Sequence, residues 1–153
     1  MDTHDERPRN DDETIHLGAD PVAARRARHH VDAVLAGAGW APVEQERARL
    51  AVSELVTNAV VHAHSQVTLR CRLGADLLIE VTDGAPGTEL RPRPAVPEGR
   101  SGGMGLYLID RLSQAWGVDH GTAAKTVWCV VAGGTGPSRA PGPRPAASGL
   151  SSR

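Results

Sequence analysis

The chain predicts an α+β fold: a two-layer sandwich with one mostly antiparallel, mixed sheet covered on one face by about three helices. Three observations carry this. Val67 to Leu73 alternates apolar and polar residues like a half-buried strand, and a short turn, Gly74 to Asp76, leads into a second such run, Leu77 to Thr82, making a hairpin. Two stretches before the hairpin and one after it place apolar residues at helical spacing. A closing pair of strand-like runs, Trp116 to Asp119 and Lys125 to Val131, follows the last helix.

Taken in order, Thr14 to Gly18 is read as a short first strand. Asp20 and Pro21 supply an N-cap with proline at the first helical position. The helix they open runs to about Ala36, with Val22, Ala23, Ala27, Val31, Val34 and Leu35 on its apolar side. Arg25, Arg26, Arg28 and His29 make its other side basic, either a solvated face or a docking surface for an acidic partner. Gly37 to Pro42 breaks that helix, and Trp40 is expected to pack onto the core. The second helix, Val43 to His62, has Ala48, Ala51, Leu55 and Ala59 on a broad apolar face. From Gly84 to Gly103 the chain is Pro, Gly, Arg and Glu without apolar periodicity, and a loop of about twenty residues inside a compact domain is functional or mobile. The third helix, Gly105 to Ala115, turns Leu106, Leu108, Ile109 and Leu112 inward.

The 153 residues, 40% hydrophobic and 23% charged, suit one domain, 15–132, between two tails. The first tail, 1–14, is acidic and nearly devoid of apolar residues; the last, 133–153, is Gly, Pro, Ala and Ser with arginines, and both are expected to be disordered. A net charge of −1 gives no global field to recruit nucleic acid or an anionic membrane. No stretch approaches the roughly 20 apolar residues of a membrane span. The acidic N-terminus lacks an apolar run, which argues against secretion. Cys71 and Cys129 fall in strand-like runs and are read as reduced core thiols, so a cytoplasmic protein is expected.

Three stretches carry chemistry. Glu54 and Asn58 stand one turn apart on the second helix, among Leu, Val and Ala. Magnesium takes one or two protein oxygens beside phosphate and water, and a carboxamide supplies one without adding charge. A carboxylate one turn away can accept a proton from an attacking hydroxyl. On these two residues alone, a polar stripe facing solvent is the simpler account. Asp83 ends a strand and is followed by Gly84 and Gly87, so it can accept from an exocyclic amine with the backbone close to a ring; alone, an Asp-Gly turn explains it as well. Arg100 to Leu106 reads R-S-G-G-M-G-L and opens a helix, so Gly102, Gly103 and Gly105 can turn successive N–H groups toward one anion, with Arg100 close by.

Together the stretches E-L-V-T-N-A-V-V-H, V-T-D-G-A-P-G and R-S-G-G-M-G-L resemble the N, G1 and G2 boxes of the GHKL ATPase/kinase superfamily. Within it the chain is similar to the small anti-sigma-factor serine/threonine kinases of actinobacterial type, over about Leu17 to Val131. The resemblance implies ATP and magnesium as cofactors and the GHKL ATP-binding fold. It implies Glu54 as general base, Asn58 as magnesium ligand and Asp83 as acceptor of the adenine amine. Gly87 would shape the adenine pocket. Arg100, Gly102, Gly103, Met104, Gly105 and Leu106 would cradle the nucleotide under a lid running from about Thr88 to Gly102. His62 would support the helix end. Lys125 also matches a family position, as either a phosphate contact or a strand-end charge. Two residues depart from the pattern: Ala85 stands at the first glycine position of the adenine box, and Met104 where many relatives carry Arg.

The implied activity is transfer of the ATP γ-phosphate to a serine or threonine of an anti-sigma-factor antagonist. The alternative is a non-catalytic nucleotide-binding anti-sigma or adaptor module with the same site. The implied partners are that antagonist, a sigma factor or both, with a homodimer as its relatives form. A transition-metal site at Glu54, Asn58, His62 and His64 is the weaker reading, because Asn is a poor zinc ligand.

Overall fold

The computed structural model describes residues 12–63, 65–84, 104–134 and 150–151. Nine elements follow in chain order: β1 (Asp12–Leu17), α1 (Ala23–Leu35), α2 (Pro42–Ala63), β2 (Val67–Leu73), β3 (Leu77–Asp83), α3 (Met104–Leu112), β4 (Ala115–His120), β5 (Lys125–Val131) and β6 (Leu150–Ser151). The strands form one sheet in the order β1-β2-β3-β5-β4-β6, and every pairing among them is antiparallel.

Register sorts the side chains into two faces. Leu69, Val81 and Val127 align across β2, β3 and β5, as do Cys71, Ile79 and Cys129. These residues are buried beneath the helices with Leu17, Val67, Leu77, Trp116 and Val131. The helices meet them with rows at helical spacing: Ala23, Ala27, Val31 and Leu35 on α1, Ala48, Val52, Leu55 and Ala59 on α2, Leu106 and Ile109 on α3. The small residues in these rows let α1 and α2 approach closely, and Arg28 of α1 donates to Ser53 Oγ of α2 at 3.0 Å. On the opposite face Trp128, Leu78 and Val130 form a second buried cluster. Gly117 lies across from Trp128, and a Cβ there would come within 2.7 Å of the indole.

Several boundaries differ from those read in the sequence, each for a local reason. β1 begins at Asp12, so Asp12 and Glu13, expected in a disordered tail, belong to the sheet. Arg70 holds Asp12 through two hydrogen bonds, from Nε to Oδ1 at 2.6 Å and from the terminal nitrogen to Oδ2. Asp20 does not cap α1 directly. Its Oδ1 accepts the Val22 N–H at 3.0 Å, forming a turn, and the helix starts at Ala23, which leaves Val22 outside it and exposed. α2 begins one residue earlier than expected, with Pro42 at its first position and Glu44 Oε2 accepting the Ala41 N–H at 2.9 Å.

α3 ends at Leu112 rather than Ala115. Ser113 donates both its N–H and its hydroxyl to the Ile109 carbonyl, and Gln114 donates its N–H to Val130 O at 2.8 Å, which draws the chain into the sheet. At the other end of the chain, Leu150 and Ser151, expected in a disordered tail, pair with Gly117 and Trp116 of β4. The remainder of both expected tails, 1–11, 135–149 and 152–153, lies outside the described residues. Trp40 packs into the core as expected. Among the described residues, no helix is long and apolar enough to cross a membrane.

Candidate functional site

α2 runs over the centre of the sheet, against β3 and β5, and is the element on which the candidate site is built. Its inner row, which includes Leu55 and Ala59, is buried; Glu54 and Asn58 lie beside that row and are half-buried. β3 ends at Asp83 and β5 begins at Lys125, and these two residues are direct cross-strand partners on the helix-covered face. Both are buried: Asp83 is 3% exposed and Lys125 1%. The Lys125 Nζ lies 3.8 Å from Asp83 Oδ2. Just past Asp83, the Gly84 N–H donates to Ser65 Oγ at 3.4 Å, tying the strand end to the segment after α2.

One pocket opens between these elements. Asn58, Asp83, Leu106 and Lys125 line it together with Leu55, Ala59 and Val127. Four residues singled out in the sequence, separated by as many as 67 positions, therefore converge on one cavity. Glu54 is not among the lining residues; it stands one turn earlier on α2. Burial pushes its carboxyl above the ordinary carboxylate value. Met104 and Gly105 form the start of α3. Gly87, Arg100, Gly102, Gly103, the expected lid from 88 to 102, and His64 lie outside the described residues. His62 falls in the last turn of α2.

Sequence reasoning did not assign Leu55, Ala59 or Val127 to the site. Their apolar pattern marked them as core, and they are core; the pocket floor is the edge of that core. Lys125, read as either a phosphate contact or a strand-end charge, stands at the start of β5 with its side chain buried beside Asp83.

An apolar floor with a carboxylate at its edge suits a flat heterocycle that donates an N–H, since a buried carboxylate needs donors and an apolar wall stacks a ring. Asn58 brings a neutral oxygen donor to the same cavity. The donor set fits a hard cation that draws its other oxygens from phosphate and water, as magnesium does. Among the described residues, no group of three His, Cys, Asp or Glu is placed to hold a metal ion.

Residues 17–131 match the family model described as the histidine kinase-like ATPase domain. The fold is similar to that of a crystal structure of the RsbU and RsbW domains of Rv1364c from Mycobacterium tuberculosis, with a TM-score of 0.59 and 21% sequence identity. That alignment covers 78% of this chain and 32% of the other, so the chain spans about a third of the length of that protein. No curated protein matches the chain.

Proposed function

This chain belongs to the histidine kinase-like ATPase family, and from that premise we propose that it binds ATP with magnesium and phosphorylates a serine or threonine of an anti-sigma-factor antagonist. The convergence of Asn58, Asp83, Leu106 and Lys125 on one pocket carries the reading. The proposed partners are that antagonist, a sigma factor or both, with a second copy of this chain, in the cytoplasm.

Each residue has a task in this account. Asp83 accepts the adenine amine, while Leu55, Ala59 and Val127 pack against the ring. Asn58 would supply a protein oxygen to magnesium, which when bound would neutralise phosphate charge. Gly105, in the first turn of α3, directs its backbone N–H to phosphate; the resemblance adds Gly103 to that task, Gly87 to shaping the base pocket, and Arg100 and Gly102 to assisting. Glu54 accepts the proton of the incoming hydroxyl as its oxygen bonds to the γ-phosphorus. The bond from that phosphorus to the β–γ bridging oxygen breaks, and ADP leaves with the electron pair.

A nucleotide-binding adaptor would share Asn58 and Asp83 but has no use for a half-buried carboxyl one turn along the helix. The test is capture of partners on the immobilised chain with ATP or ADP, followed by incubation with γ-labelled ATP. The reading expects label on a serine or threonine of a captured protein; nucleotide-dependent capture without label would favour the adaptor.

A further inference from the structure

We propose that Lys125 is the positioning residue of the base subsite: its buried ammonium holds the Asp83 carboxylate in place at the pocket, where it accepts the exocyclic amine of the base. The proposal rests on reading the pocket as a nucleotide site. It gives Lys125 a task distinct from contact with phosphate.

The placement is unusual for a lysine. Lys125 is the first residue of β5, at an element end, where a lysine ordinarily extends its ammonium into water. Here 2% of the side chain is exposed, and its partner Asp83 shows 1%. It is also the only lysine among the 17 basic residues of the chain. Cross-strand register sets the two side chains opposite each other, on the face that α2 and α3 cover.

Burying two opposite charges carries a large desolvation cost before their attraction is counted, and an apolar pair of similar volume often stabilises a fold as well or better. A buried pair kept at the rim of a cavity is therefore better explained by the cavity than by the fold. The separation, 3.8 Å, is longer than a hydrogen bond, so the ammonium holds the carboxylate by Coulomb attraction.

The test compares the wild-type chain with Lys125→Met, Lys125→Arg, Asp83→Asn and the double variant Asp83→Asn/Lys125→Met. Each is titrated calorimetrically with magnesium–ATP and with magnesium–purine riboside triphosphate, which lacks the exocyclic amine. The wild type is expected to prefer ATP by about tenfold, the value of one hydrogen bond to a charged acceptor. Lys125→Met should lose that preference, with ATP affinity falling about tenfold and the amine-free nucleotide by less than about threefold. Lys125→Arg should restore part of it. In the Asp83→Asn background, removing Lys125 should change ATP affinity by less than about twofold, because the residue acts through Asp83. That comparison stands even if Lys125→Met fails to fold, since the double variant leaves no unpaired charge.

Equal losses for both nucleotides in Lys125→Met, or a further loss in the double variant, would overturn the proposal and indicate a phosphate contact. A wild type that binds ATP without preferring it would overturn the assignment of Asp83 itself, which is a separate failure.

Discussion

Glu54 and Asn58 stand one helical turn apart on α2, yet Asn58 lines the pocket and Glu54 does not. In the proposed mechanism this spacing separates two tasks on one helix, with the carboxamide assigned to the nucleotide and the carboxylate to an incoming hydroxyl. Burial raises the Glu54 carboxyl above its ordinary value of 4.5. Between that value and the raised one, the folded chain binds more protons than the unfolded chain, so stability falls as pH rises through the window. Glu54→Gln removes this cost. The variant should melt at or above the wild-type temperature at pH 7, while transfer falls by about 10²–10⁴-fold. The wild-type rate should rise with pH through the raised value, and the variant should lack that limb. Unchanged transfer in the variant would remove Glu54 from the mechanism.

Gly117 accommodates the Trp128 ring on the sheet face opposite the helices. Because a Cβ at position 117 would sit 2.7 Å from Trp128 Cζ2, Gly117→Ala forces the ring or the strand to shift. The expected cost is about 1–3 kcal/mol, measured by urea unfolding. Wild-type stability in that variant would show that the indole is not held against β4.

Asp12 and Arg70 tie the first strand to the sheet. The Arg70 hydrogen bonds hold the Asp12 carboxyl below its ordinary value of 3.8. The sign is that of a paired acid: the contribution is present above 3.8 and is lost as pH falls through the lowered value. Both side chains are partly exposed, so Asp12→Asn should cost no more than about 1 kcal/mol at pH 7. Once the pH has fallen below the lowered value, the variant and the wild type should converge in melting temperature. A gap that persists there would mean the carboxylate charge is not what ties β1 down.

Cys71 and Cys129 are free thiols buried in the core, and burial pushes Cys71 up to about 12. Neither should react with a thiol reagent at pH 8 in the native state, whereas both should react in urea. Rapid labelling of the folded chain would place one of them at the surface.

Much of this architecture is legible in the residue pattern, because apolar rows of helical or strand period name the buried face directly. Ala48, Leu55 and Ala59 on α2, and the alternation from Val67 to Leu73, were read this way. What escaped depends on partners distant in sequence. Asp12 looks like part of an acidic tail until Arg70 is set beside it. The end of α3 depends on a carbonyl of β5 accepting from Gln114, which no local propensity encodes. For the site, box order brings out Asn58 and Asp83, but the burial of Lys125 follows from the β3–β5 register, which the sequence pattern does not contain.

The claim that Asn58 and Asp83 belong to one nucleotide site is tested most directly by titrating the chain with ATP, with magnesium and with a chelator, in the wild type and in Asp83→Asn. The account predicts saturable one-to-one binding that magnesium strengthens and that Asp83→Asn weakens by about tenfold or more. Absence of binding, or an affinity that neither the chelator nor the substitution changes, would contradict it.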